Sequence, residues 1–301
     1  MPLRTATAAL CAALLAVAAP ALAAAEDGWK KLLAPAELAE RIDELVVIDI
    51  RSDKEYLTAH IPGAVNAPYP LWRGPEDNPG KPLTDAALTE LLRGLGLTAE
   101  TPVAVAYAGT DQSDFGAAAR VYWTLKSAGL TRIAILNGGV RGWVAAGLGL
   151  GVEPVVREPS TASFALSDAW MADRADVAAA VKGERQAVLV DARPPAFFEA
   201  KRKHPAAAKA GTLEGARNLP QSGWFDGGAH EIAAAERVAA LAGAAGIGEA
   251  GGEVVSFCNT GHWAATGWFA MSELAGVEGV KLYPESMVGW VNSGGAVTAG
   301  E

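Results

Sequence analysis

The residues best suited to chemistry sit in one short stretch. In VVSFCNTGHWAAT, residues 254–266, Cys258 directly follows a short apolar run and directly precedes a loop leading into an Ala-rich segment. A strand ending at Phe257 and a helix starting near Ala264 or Ala265 leave about six residues for the turn. Backbone N–H groups in so tight a loop converge as an anion nest, and the following helix adds the positive end of its dipole. Gly261 supplies the unusual dihedrals such a turn needs. A thiol in that cradle is expected to lose its proton more readily than a free cysteine, whose pKa is about 8.5. Cys258 would then be a nucleophile, and the loop would equally hold a small anionic sulfur species attached to it. Asn259, Thr260, Gly261, His262 and Trp263 are the candidate substrate contacts around it. His262, the only other titratable loop group, is expected either to depress the thiol pKa and steer an anion when protonated, or to be an ordinary loop histidine. Trp263 either faces the cleft or serves the core.

The chain of 301 residues has only two cysteines. Cys11 belongs to an N-terminal segment with a positive start at Arg4, an apolar core over 8–19 and an A-x-A pattern at Ala21-Leu22-Ala23, which reads as a cleavable export signal over residues 1–25. The apolar core is too short to span a bilayer. A periplasmic or secreted location follows as an expectation. A lone Cys258 in an oxidising compartment then implies either deep burial or chemistry, because an exported chain stapled by disulfides would carry its cysteines in pairs. Without the leader the chain holds 24 basic and 34 acidic residues, a net charge of −10, with no basic stripe, so nucleic acid and anionic membrane are poor partners. The four histidines are scattered without metal-ligand spacing beyond Cys258 and His262, and neither a metal nor a cofactor is expected.

To place that loop the chain uses the same order of signals twice. VVIDIR (46–51) matches VLVDAR (188–193), VAVAYAGT (103–110) matches EVVSFCNT (253–260), and ILNGGVRGW (135–143) matches LYPESMVGW (282–290). Asp49 to Asp191, Ala108 to Cys258 and Trp143 to Trp290 are shifts of 142, 150 and 147 residues, a near-constant offset of half the mature chain. Such self-similarity indicates duplication with small insertions. Apolar runs alternate with helical patterns at 84–97 and 115–130, which specifies an α/β chain whose mostly parallel sheets are covered by helices on both faces. A Pro-rich, charged stretch beginning at GVEPVVREPS reads as a linker over 151–165, between a first domain at 26–150 and a second at 166–301. Functional crevices of such sheets lie beyond the carboxyl ends of the strands, where Cys258 sits.

The paired order of D-x-R, G-A-x-N, strand-loop and a terminal G-W over roughly residues 40–295 resembles the tandem-domain rhodaneses, the thiosulfate and 3-mercaptopyruvate sulfurtransferases. HIPGAVN and AILNGGVRGW are close to that family's signatures, and CNTGHWA sits where its active loop sits. The resemblance implies sulfur transfer through a persulfide on Cys258, from thiosulfate or a related anion to cyanide or a thiol. It also implies a catalytically silent first half, with Ala108 at the cysteine position. By the same resemblance Arg193 is a substrate-binding arginine, although Arg51 at the matching place in the silent half argues that part of its job is a salt bridge to its own Asp. Thr260 stands where thiosulfate-selective relatives carry a cation, and a hydroxyl cannot supply that charge.

Other chemistries fit less well. Rhodanese-like phosphatases place an Arg six residues after the cysteine, where this chain has Ala264. A cysteine peptidase would need His60, His204 or His230 to deprotonate the thiol, and none lies in a matching signature. The alternative with more support is a sulfur carrier, supplied by an exported protein partner, that turns over small donors slowly.

Overall fold

The computed structural model describes residues 28–227, 230–248 and 252–300, so the expected leader over 1–25, Cys11 included, lies outside the described residues. Two parallel sheets account for the duplicated apolar runs. The first contains β1 (Leu32–Leu33), β2 (Val46–Asp49), β3 (Val65–Asn66), β4 (Val103–Ala106) and β5 (Ile133–Leu136) in the order β1-β5-β4-β2-β3. The second contains β6 (Ala187–Asp191), β7 (Arg217–Asn218), β8 (Glu253–Phe257) and β9 (Val280–Leu282) in the order β7-β6-β8-β9. Val46 lies opposite Val103 in one sheet and Ala187 opposite Glu253 in the other, so β2 and β6, like β4 and β8, are copies. The second half has no counterpart of β1 as a strand; a single parallel bridge from Met171 to Leu282 takes that place beside β9.

Both faces of each sheet are covered, which is why the central strands VVID, VAVA and IAIL of the first sheet run almost wholly apolar rather than alternating with polar residues. Val46, Ile48, Val103 and Val105 face the same core as Val190, Val254 and Leu282, so the inner faces of the two sheets share one apolar cluster. Val47, Ala104 and Leu136 face outward onto Trp143, and Leu189, Val255 and Phe257 onto Trp290, which closes one outer layer per half. Residues 152–167 contain no helix or strand and lie against the first half, where Ser160 Oγ donates to the Leu97 carbonyl and Arg93 to the carbonyls of Thr161 and Ala162. No helix among the described residues is long and apolar enough to cross a membrane.

Two helices meet at the centre of the shared core. Asp114–Ser127 comes from the first half, and Trp263–Trp268, running on into a π-helical turn at Phe269–Leu274, comes from the second. Phe269 meets Phe115 and Tyr122 edge-on at 5.6 and 5.0 Å. Beside these rings the buried carboxylate of Glu273 accepts from Tyr122 Oη at 2.9 Å and Lys126 Nζ at 2.7 Å, with Lys31 Nζ at 3.6 Å. Burial raises the proton affinity of Glu273, but the two lysines outweigh it and hold the carboxyl below its ordinary value.

Three groups of the first half therefore converge on one anion of the second. Glu273→Ala leaves them without it, and the expected loss is on the order of 3 kcal/mol of unfolding free energy, read from urea-unfolding curves. A loss too small to resolve would show that this pair does not hold the halves together.

Candidate active site

β8 delivers Cys258 at its carboxyl end, and the chain turns through Asn259, Thr260, Gly261 and His262 before the helix at Trp263. Cys258 is a free thiol, 1% exposed. The hydroxyl of Ser286, on the facing turn, closes the loop. Its Oγ accepts from the amides of Cys258 at 3.0 Å and Gly261 at 3.1 Å, and donates to the Tyr283 carbonyl at 2.8 Å. One donor and two acceptor sites are all a hydroxyl has, so Ser286 is saturated. The carbonyls of Cys258 and Asn259 are taken by the amides of Met287 and Val288.

This corrects the expectation that the loop amides converge as one ring. Two of them serve Ser286, while those of Asn259, Thr260 and His262 have no protein partner among the described residues. Buried N–H groups left open beside a sulfur are donors for an anionic form of it. Gly261 has φ +68°, and a Cβ there would collide with Arg120 and the Pro284 carbonyl, so both its backbone and its space require glycine. Ser286 has φ +51°, uncommon for a residue with a side chain. Its counterpart in the first half is Gly139, at φ +60°. The same backbone bend is made with glycine in the half without a cysteine, and with a strained serine in the half that has one.

A cavity of about 260 Å³ has Cys258 in its lining. Asn259, Thr260, His262 and Trp263 line it from the loop, as expected of substrate contacts. Arg73 and Ser113 of the first half and His204 of the second also line it. None of these three stands in a motif, and the only sequence signal for them is that the silent half must cover something. The volume suits a donor of a few atoms, being below that of pockets for drug-sized ligands.

Arg193 does not line this cavity. It is 2% exposed, its Nε and Nη2 fork onto Asp191 at 2.8 and 2.5 Å, and Nη2 also donates to the Gly211 carbonyl. Arg51 makes the same pair with Asp49 and the Ala59 carbonyl. The substrate-binding role expected of Arg193 is therefore corrected. It neutralises a carboxylate buried at the end of β6, and its remaining nitrogen reaches only as far as Asn259 Oδ1, at 3.4 Å. Asp191 and Thr212, which donates to it at 2.7 Å, complete this support.

Of the two readings of His262, its contacts fit a neutral loop histidine. Nε2 meets the Ser113 carbonyl at 2.9 Å, an acceptor only, so Nε2 carries the hydrogen and Nδ1 accepts from Tyr69 Oη at 3.0 Å. Burial, with the Arg73 charge second, pushes this histidine down to about 4, so it is neutral near pH 7. Trp263 Nε1 donates to Ser113 Oγ at 2.8 Å. Both residues clasp the loop to the first half while their rings wall the cavity.

Comparison with known proteins places this geometry. Residues 34–146 and 173–293 each match the model of the Rhodanese-like domain. A Synechococcus elongatus protein provisionally named a thiosulfate sulfurtransferase is 28% identical over 277 residues, covering 87% of this chain and 83% of that protein. The 3-mercaptopyruvate sulfurtransferase of Escherichia coli is 30% identical over 274 residues, covering 84% and 92%. The crystal structure of SseA from Escherichia coli, described as a 3-mercaptopyruvate sulfotransferase of rhodanese fold, superposes with a TM-score of 0.72 at 25% identity, covering 85% of this chain and 98% of that one. The anaerobic ergothioneine biosynthesis enzyme of Chlorobium limicola shares the fold at a TM-score of 0.76 and 19% identity, covering 90% and 70%.

The neutral clasp has a pH signature. His262 takes a proton at its ordinary value of 6.5 in the unfolded chain and only near 4 in the fold. The unfolded chain thus gains protons first on acidification, and the contribution is complete above pH 6.5 and lost as pH falls towards 4. Unfolding midpoints at about pH 7 and about pH 5 are expected to drop further in the parent protein than in His262→Gln. Equal drops would show that His262 carries no such linkage.

Proposed function

The chain belongs to the rhodanese-like domain family, and on that premise we propose that it is a two-domain sulfurtransferase working through a persulfide on Cys258. The observation that carries the reading is a buried free thiol at a strand end, in the lining of a small cavity and flanked by loop amides without protein partners. The wider sulfurtransferase role is shared with relatives whose names differ in donor.

In the first half-reaction the Cys258 thiolate attacks the outer sulfur of the donor. A sulfur–sulfur bond forms to Cys258. The bond from that sulfur to the rest of the donor breaks, and its electron pair leaves with sulfite from thiosulfate, or with the enolate of pyruvate, which then takes a proton, from 3-mercaptopyruvate. In the second half-reaction a cyanide or thiolate acceptor attacks the outer sulfur, and the electron pair returns to Cys258 as thiolate. In both half-reactions negative charge develops on sulfur, and the open loop amides are donors suited to stabilising it. Ser286 holds the amides of Cys258 and Gly261 in place while this happens. Thiosulfate is the donor we favour, with 3-mercaptopyruvate the other candidate, and a sulfur carrier with slow turnover is the alternative reading.

We also propose export, because the Arg4 start, apolar core and Ala21-Leu22-Ala23 pattern suit a leader peptidase. Terminal sequencing of the secreted protein is expected to begin just after the Ala21-Leu22-Ala23 pattern, between Ala24 and Glu26, and an intact Met1 terminus would refute export by this route.

Cys258→Ser is expected to abolish thiocyanate formation from thiosulfate and cyanide with the far-ultraviolet circular dichroism intact, and intact mass of the parent protein after donor treatment is expected to rise by one sulfur atom. Full activity in the serine variant would place the nucleophile elsewhere. Persulfide formation without steady-state turnover on either donor would favour the carrier.

A further inference from the structure

We propose that the anionic head of the sulfur donor is received by Arg73, so that the half without a cysteine supplies the cation and the other half the sulfur. The role in donor binding rests on the sulfurtransferase reading; the position of the charge does not.

The active loop has no cation of its own for this purpose. The loop and the helix after it hold no Lys or Arg from Asn259 to Val280, and Thr260 offers only a hydroxyl. Arg193 and Arg51 are consumed by Asp191 and Asp49. Arg73 follows the short helical turn Tyr69–Trp72, where its guanidinium lies 5.2 Å from the Tyr69 ring centre. Its Nη2 donates to the Thr260 carbonyl at 2.7 Å, which fixes the group against the active loop. Its Nη1 is buried without any partner, and the residue lines the same cavity as Cys258. A buried guanidinium N–H left open is costly unless something fills it, and a planar fork suits a carboxylate or sulfonate.

A second cation reinforces the first. Arg120, 1% exposed, lies behind the loop with Nη1 3.4 Å from the Gly261 carbonyl and Nη2 2.9 Å from the Gly80 carbonyl. No carboxylate among the described residues pairs with Arg73 or Arg120. The uncompensated charge is felt by its neighbours. Burial and then Arg73 lower the proton affinity of Arg120, to about 9, and of both His204 and His262. Positive charge with no carboxylate paired to it, confined to a small and mostly buried space, favours an anionic ligand there. The ligand class is therefore a small molecule whose transferable sulfur sits close to a sulfonate or carboxylate. The missing loop cation, which would otherwise favour a slow carrier, is made good across the domain boundary.

The test reads charge and sulfur transfer separately. Alkylation of Cys258 by anionic iodoacetate and neutral iodoacetamide gives a rate ratio that does not depend on sulfur chemistry. Arg73→Gln is expected to lower that ratio by about tenfold, the worth of one hydrogen bond to a charged group, and Arg73→Lys to retain most of it. Donor kcat/KM is expected to fall in parallel for thiosulfate and for 3-mercaptopyruvate, and the arm that falls further identifies the head group that Arg73 grips. Added salt is expected to depress the parent ratio more than that of Arg73→Gln. An unmoved ratio with donor kcat/KM also unmoved would overturn the proposal. A ratio that moves while no donor ever sulfurates Cys258 would leave the cation in place and overturn the sulfurtransferase reading instead.

Discussion

Everything at this site depends on a loop that must be held tightly from outside while its own amides stay open. Backbone donors in a turn so short would ordinarily be satisfied within the fold, because leaving them buried and unpaired is costly. Ser286 resolves the conflict by taking two of them, those of Cys258 and Gly261, and fixing the loop by its ends. The amides between and after these anchors have no protein partner among the described residues and are open to a ligand. The strained backbone of Ser286 is the cost of putting a hydroxyl at that point, and Tyr283 keeps the hydroxyl oriented.

The loop is held from a second side by the first half. His262 and Trp263 both reach Ser113, Tyr69 binds the far nitrogen of His262, and Arg73 grips the Thr260 carbonyl. These contacts lie beside an apolar cluster to which both sheets contribute, so the two domains are joined by a shared layer of core. A half without a nucleophile is thus still part of the site, as wall, clasp and source of charge.

Much of this was legible in the sequence, and the limits have physical causes. The two sheets, the strand-end position of Cys258 and the need for glycine at 261 follow from local patterns, since each is fixed by residues adjacent in the chain. Arg193 misled because a sequence displays a charge without its partner; the carboxylate two residues earlier, repeated at Asp49 and Arg51, was the better guide. His262 stayed open between two roles because protonation depends on burial, which only the folded contact with Tyr69 and Ser113 determines. Arg73 and Ser113 were invisible because they meet the loop only through the packing of one half on the other, and His204 stood in the sequence only as one of several scattered histidines. Ser286 could have been found by setting it against Gly139, where a serine replaces a glycine at a bend that favours glycine.

That replacement also bears on the history of the duplication. Restoring a thiol at Ala108 would not by itself recreate the site in the first half, because Gly139 has no hydroxyl to anchor a loop around it. A serine arriving at 139 before the thiol would bring backbone strain and no benefit, while a thiol arriving first would find no cradle. A second site in the first half would therefore demand two coordinated changes rather than one, which keeps the chemistry confined to a single half.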